Sequence, residues 1–320
     1  MAQKRPAENV IDRNNGAAAL TGAAADGIII RGIGGIYTVA CGDALYDCKA
    51  RGIFRLESIK PMVGDLVRIS PDREDGSGFV ITEIKPRKNS LVRPAVANVD
   101  CVLFIIAAAN PKPDLTLLDK LLLSVRQKGA GVILVINKSD IDRKEAKSLK
   151  DEYESAVDGG VFIASLEGKD AEKDAEKIKS AIPRGVTVLC GQSGVGKSTL
   201  TNKLLLRKAM ATGGLSAKTE RGKHTTRHSE LFDAGDGKYV IDSPGFSFFD
   251  AFNVAPKELA NLYKEFDNRG LCRFQDCSHT GEPDCCVGEL LEKGILSPGR
   301  YERYKEIYKE LLAKEKNKYR

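Results

Sequence analysis

Residues 191–199 read Gly191-Gln192-Ser193-Gly194-Val195-Gly196-Lys197-Ser198-Thr199, the spacing G-x-x-x-x-G-K-[ST]. Glycines at these positions let successive backbone N–H groups turn toward one polyphosphate, and a following helix N-terminus adds its partial positive charge. Lys197 is placed to reach the β- and γ-phosphates, and the Ser198 hydroxyl to ligate Mg²⁺. A second set, Asn137-Lys138-Ser139-Asp140, directly follows the apolar run GVILVI. A carboxylate there can accept hydrogen bonds from guanine N1–H and the 2-amino group, donors that adenine lacks. Together the two sets imply a guanine nucleotide and count against an ATP-dependent kinase or transporter subunit.

Asp242-Ser243-Pro244-Gly245 closes the run KYVI and fits D-x-x-G. Turns of this kind are common, but as the third member of the set it implies that Asp242 holds Mg²⁺ through water and that the Gly245 amide senses the γ-phosphate. Residues 213–229 between the two motifs are Gly-rich, polar and too long for a simple connection, as a switch segment ordered by γ-phosphate and Mg²⁺ would be. Thr225 or Thr226 is the natural Mg²⁺ ligand within it. Ras-like enzymes place a Gln directly after D-x-x-G. This chain has Phe246, so slow intrinsic turnover is expected, with the missing polar group supplied by another segment or a partner.

Four of the eight cysteines, Cys272, Cys277, Cys285 and Cys286, fall within fifteen residues. A disulfide framework usually belongs to a shorter secreted chain, so local clustering here favours a metal. Spacing leaves Cys285 and Cys286 as alternative ligands.

These residues need elements to position them. With 42% hydrophobic residues in 320, the chain can bury a substantial core. The 29% charged fraction fits a soluble class, and no apolar run approaches the roughly 20 residues of a membrane helix. The net charge of +6 leans mildly toward polyanionic partners. Residues 1–24 lack a continuous apolar stretch, so a mobile tail is expected rather than a secretory signal. From 27 to 85, short apolar runs broken by Gly, Pro and Asp predict a small β-barrel of OB or SH3-like type. KPRKNSLVRP, with Lys85, Arg87, Lys88 and Arg93 and no acid, reads as a linker with a basic face. Strands then alternate with helices, which calls for a parallel sheet covered on both faces. Asp114 is the expected N-cap and Gly129 the C-cap of the first of these helices. Beyond residue 250 the pattern turns helical, with NVAPKELANLYKEF starting one helix and another running from about Pro298. The latter carries a stripe of Tyr301, Tyr304, Tyr308, Leu311 and Leu312, and its eight Lys/Arg against four Glu suggest a solvated basic face.

The order of the motifs is unusual: the guanine-reading set precedes the phosphate loop, which precedes D-x-x-G. In this the chain resembles a circularly permuted GTPase. With a β-barrel before and a Cys/His cluster after, it is similar to the RsgA/YjeQ family, the small-ribosomal-subunit-dependent GTPases, over roughly residues 26–310. The resemblance implies a multi-domain α/β protein: a flexible tail (1–25), an OB-like barrel plus basic linker (26–94), a circularly permuted GTPase domain (95–250) and a mainly helical zinc-binding domain (251–320). It implies one structural Zn²⁺ on Cys272, Cys277, His279 and Cys285, in the pattern C-x4-C-x-H-x5-C, and a catalytic role for His224. It further implies GTP and GDP with Mg²⁺, and small-subunit rRNA as partner during late assembly, in the cytoplasm. A monomer is expected, and, with no C-terminal Cys for lipidation, no membrane partner. A GTP-binding RNA scaffold with negligible hydrolysis is the alternative. One departure concerns the second base-contacting loop, where the family tends toward Ser-Ala and this chain has Ala164-Ser165.

Overall fold

Short runs in which every second residue is apolar give one buried face to a strand and none to a helix. The computed structural model describes residues 24–56, 59–72, 78–211, 230–242, 252, 254–267 and 269–318, which divide between Arg87 and Lys88 into two compact units. The first contains β1 (Ala25–Ile33), β2 (Ile36–Cys41), β3 (Ala44–Ala50), the single turn α1 (Ile53–Leu56), β4 (Leu66–Pro71) and β5 (Phe79–Ile84). The strands close into a barrel in the order β1-β2-β3-β5-β4. All pairings are antiparallel except β3 with β5. A three-strand meander joined to a later strand in parallel is OB-like connectivity, and closure pairs the edges that an open sheet would expose. Ile29, Val39, Val67, Ile69 and Ile81 fill the interior.

The stretch expected to be a basic linker is instead pinned by acids distant in sequence. Lys85 Nζ lies 2.7 Å from Asp26, and Arg87 grips the buried Asp65 through bonds of 2.6 and 2.8 Å. In the second unit, Lys88 pairs with Asp100. Three of the four cations thus neutralise carboxylates.

The second unit begins with a small hairpin, β6 (Ser90–Leu91) and β7 (Val96–Ala97). Alternation follows: β8 (Val99–Ala107), α2 (Leu115–Gln127), β9 (Gly131–Asn137), α3 (Arg143–Tyr153), β10 (Val161–Ile163), α4 (Ala171–Ala181), β11 (Gly185–Gly191), α5 (Lys197–Ala211), β12 (Phe232–Gly235) and β13 (Lys238–Asp242). The Asp114 carboxylate caps α2 by accepting from Leu117 N–H at 2.9 Å. The sheet order is β10-β9-β8-β11-β13-β12. It is parallel except for β12, an edge strand not anticipated from the sequence, which returns antiparallel to β13. Asp236 and Gly237 both take positive φ, 54° and 72°, as a two-residue hairpin turn that continues the strand twist requires. The β8–β9 and β11–β13 crossovers run in opposite directions, so right-handedness puts α2 and α5 on opposite faces. Leu103 and Ile105 of β8 pack with Ile178 of α4 and Leu200 and Leu204 of α5.

The C-terminal part contains two 3-10 segments (Pro256–Leu262 and Lys264–Phe266), α6 (Val287–Glu292) and α7 (Pro298–Lys318). The continuous helix expected over NVAPKELANLYKEF is replaced by the two segments, because Tyr263 between them is extended (φ −83°, ψ 115°). That geometry buries its ring 5.1 Å from the Tyr304 ring and beneath the Arg300 guanidinium. The tyrosine stripe of α7 packs into a core that also takes Leu123 of α2.

The basic face assigned to α7 requires correction at its first turns. Arg300 is buried, its guanidinium 2.6 Å from Asp119 of α2 and 2.5 Å from Glu265. Arg303 lies 2.6 Å from both Asp119 and Glu152, and Tyr153 OH donates to Asp119 at 2.7 Å. Each buried charge is matched, which offsets much of the desolvation cost of the group, and removing one partner strands the rest. Arg300→Ala is therefore expected to lower stability by about 3–5 kcal/mol, read from the urea midpoint; an unchanged midpoint would contradict the network's role.

Candidate functional site

In an open α/β sheet, ligands bind beyond the C-terminal strand ends, where neighbouring crossovers diverge. Here that point lies between β8 and β11. Asn137 ends β9 opposite Ala107, Gly191 ends β11 opposite Ile105, and Asp242 ends β13 opposite Leu189. The three sequence motifs therefore emerge on one edge of the sheet, although the chain supplies them in permuted order.

The phosphate loop runs from Gly191 to the start of α5. Val195 is buried in the sheet core and anchors the loop, whereas Ser193, Gly194 and Ser198 are exposed. Lys197 Nζ donates to the loop carbonyls of Gly191 (2.6 Å) and Gln192 (2.8 Å) and so curls the segment. Burial pulls the Lys197 ammonium below the ordinary lysine pKa, and the Asp242 carboxylate pushes it back. Gly196 has φ +104°, and a Cβ there would lie 2.3 Å from Asn137 Nδ2. Only glycine fits both constraints.

Asn137 is itself buried. Its Nδ2 donates to Val195 O at 2.8 Å, and its Oδ1 accepts from Leu166 N–H at 3.0 Å. One carboxamide thus joins the turn after β9, the loop after β10 and the Gly191–Ser198 loop. Ser139 N–H donates to Ala164 O at 3.2 Å, and Lys138, at φ +61°, donates through Nζ to Asn110 O. The Ser165 hydroxyl donates to Asp140 at 2.6 Å, while its own N–H donates to Asp174. The serine that orients Asp140 is therefore Ser165, followed by Leu166 whose amide meets Asn137. Sequence reading placed Ala164-Ser165 in the base-contacting loop but did not name Asp140 as the partner of Ser165; the signal was a hydroxyl two residues after the short strand VFI. A carboxylate fixed in this way can accept two parallel donors from a planar base. His224, Thr225, Thr226, Gly245 and Phe246 lie outside the described residues.

A second cluster lies before α6. One ligand atom from each of Cys272, Cys277, His279 and Cys285 falls within 4.8 Å of the others. Zn–S bonds near 2.3 Å in a tetrahedron set sulfur separations of about 3.8 Å. His279 Nδ1 is 3.4 Å from both Cys272 Sγ and Cys285 Sγ, and the two sulfurs are 4.0 Å apart. Three thiols and one imidazole in this space suit a closed tetrahedral Zn²⁺ site. Cys286 lies outside that set. His279 sits at φ +61° in a loop tied by Glu282, which accepts from Ser278 N–H (2.7 Å) and Thr280 N–H (2.8 Å). Tyr304 OH of α7 donates to Ser278 O at 2.7 Å, a support no local pattern announced.

Comparison with known proteins agrees with this geometry. The family profile described as RsgA GTPase matches residues 84–252, and that described as RsgA N-terminal domain matches residues 26–80. Small ribosomal subunit biogenesis GTPase RsgA from Ruminiclostridium cellulolyticum is 43% identical over 288 residues, 89% of this chain and 93% of that protein. Its namesake from Agathobacter rectalis is 42% identical over 303 residues, 91% of this chain and 99% of that one. The crystal structure of YjeQ from Thermotoga maritima superposes with a TM-score of 0.73 at 30% identity, over 91% of this chain and 99% of that one. YloQ, a circularly permuted GTPase, gives 0.74 at 27% identity over 93% and 99%. Among the described residues no helix is long and apolar enough to cross a membrane.

Gly196→Ala would displace the Asn137 carboxamide and strain the backbone by about 1–3 kcal/mol. GTP affinity measured by calorimetry is expected to fall roughly ten-fold or more, with the circular dichroism unchanged. Wild-type affinity in this variant would contradict the close packing of the two motifs.

Proposed function

The chain belongs to the RsgA GTPase family and is a GTP hydrolase, and from this we propose that it binds the small ribosomal subunit and its rRNA, acts in late maturation of the subunit, and hydrolyses GTP under the subunit's stimulation. The observation that carries the reading is the Asn137 carboxamide, which joins a guanine-reading turn to a phosphate loop. The names of the relatives support the ribosomal partner.

In this reading Asp140 accepts from the guanine edge, and Asn137, Lys138 and Ser139 shape the turn around it. Residues 191–199 receive the polyphosphate, with Gly191, Gln192, Ser193, Gly194, Val195 and Gly196 offering backbone and Lys197 giving up its carbonyl partners for phosphate oxygens. Ser198 and Asp242 would hold Mg²⁺ together with Thr225 or Thr226, and Thr199 continues the first turn of α5. When bound, Mg²⁺ neutralises charge on the β- and γ-phosphates. Gly245 is assigned the γ-phosphate contact. His224 is assigned the polar role beside the attacking water that Phe246 cannot fill. A structural Zn²⁺ would occupy Cys272, Cys277, His279 and Cys285, a complete ligand set with no position for substrate. We further read the protein as a cytoplasmic monomer in which an OB-like barrel (26–94), a GTPase domain (95–250) and a zinc-binding region (251–320) follow a tail (1–25).

GTP turnover by the purified protein, alone and with small or large ribosomal subunits, tests the proposal. A rise on the order of ten-fold or more with small subunits only is expected. Equal and negligible rates in all three samples, with GTP bound, would remove the stimulated-hydrolase reading and leave a GTP-binding RNA scaffold.

A further inference from the structure

Four cysteines and one histidine crowd the loop before α6, one more than a tetrahedral site takes. Cys286 is the surplus thiol: it is buried, occupies the N-cap of α6, and its Sγ lies 3.1 Å from Cys272 Sγ. Its backbone N–H also points at the same sulfur, at 3.4 Å. Cys285 Sγ, a member of the ligand set, is farther from Cys272, at 4.0 Å. Cys286 thus approaches Cys272 more closely than Cys285 does, although it stands outside the four-residue ligand set.

We propose that Cys272 and Cys286 form a reversible disulfide when the protein meets a hydroperoxide, and that this bond releases the metal. The second half rests on the Zn²⁺ reading given above. A metal-bound or free thiolate at Cys272 is the nucleophile. It attacks one oxygen of hydrogen peroxide, the O–O bond breaks, and hydroxide leaves, giving a sulfenic acid. Cys286 sulfur then attacks the Cys272 sulfur, the S–S bond forms, and the sulfenic oxygen leaves as water with the Cys286 proton. In sum, two thiols lose two electrons and two protons, and one peroxide becomes two waters. Closing from 3.1 Å to the roughly 2.05 Å of a disulfide requires a movement of about 1 Å. Cys272 then no longer offers a thiolate, and two sulfurs and one imidazole remain for the metal. In a reducing compartment such a bond is transient and suited to sensing, and thioredoxin-type reductants would restore the dithiol.

The experiment treats full-length protein with hydrogen peroxide, follows Zn²⁺ release with a chromogenic chelator, and maps linked cysteines by mass spectrometry after alkylation. Wild type is expected to show a Cys272–Cys286 linked peptide and to release its Zn²⁺, both reversed by dithiothreitol. Cys286→Ala is expected to retain a full complement of Zn²⁺ as purified and to release it roughly ten-fold more slowly. A linkage to any other cysteine, or release from the variant at the wild-type rate, overturns the proposal. So does a Cys286→Ala protein purified without metal, because Cys286 would then be a ligand. Wild type purified without Zn²⁺ would refute the metal reading alone, since the peptide map still decides whether the disulfide forms.

Discussion

The carboxamide of Asn137 is the constraint on which the candidate nucleotide site depends. It is buried, it makes two hydrogen bonds, and each reaches a different chain segment. Without it, Val195 O and Leu166 N–H would face each other across a gap, and a buried amide group left unpaired costs on the order of 1–3 kcal/mol. Gly196 makes the arrangement possible by leaving space where a Cβ would meet Nδ2. Circular permutation matters little to this geometry. What counts is that the ends of β9, β11 and β13 lie on one edge of the sheet, and strand order in space sets that regardless of order in the chain.

A second tie holds the Cys/His loop to the GTPase core. Helix α7 carries both ends of it: Arg300 and Arg303 reach Asp119 on α2, and one turn on, Tyr304 holds the carbonyl of Ser278 beside His279. Asp119 meets both arginines, while Glu265 accepts further donors from Arg300 and Glu152 one from Arg303. Such a network is a costly way to gain stability but a specific way to fix an orientation, because a shifted helix would leave buried charges unmatched. A metal held by the Cys272, Cys277, His279 and Cys285 cluster would add local rigidity to the same body.

Much of this was legible in the residues because it is local. The phosphate loop, the guanine-reading turn and the Cys/His cluster depend on short fixed spacings, and the alternation of apolar runs was enough for the barrel and the layered sheet. The features missed depend on partners far away in sequence. Arg300 reads as one more cation on a polar helix until Asp119, 181 positions earlier, is found against it. Ser165 reads only as part of a base-contacting loop until its hydroxyl meets Asp140, and the break at Tyr263 follows from ring packing against α7 rather than from helix propensity. The β12–β13 hairpin is the exception: the Asp236-Gly237 pair announced it locally, yet the strand ahead of it is only four residues long.

The most direct test of the central claim is amide hydrogen exchange of nucleotide-free Asn137→Ala against wild type. If one side chain fixes three segments, exchange should accelerate together in peptides covering 164–168 and 191–196, both distant from the substitution in sequence. Acceleration confined to residues around 137–140 would show that the phosphate loop is formed independently, and would contradict the account.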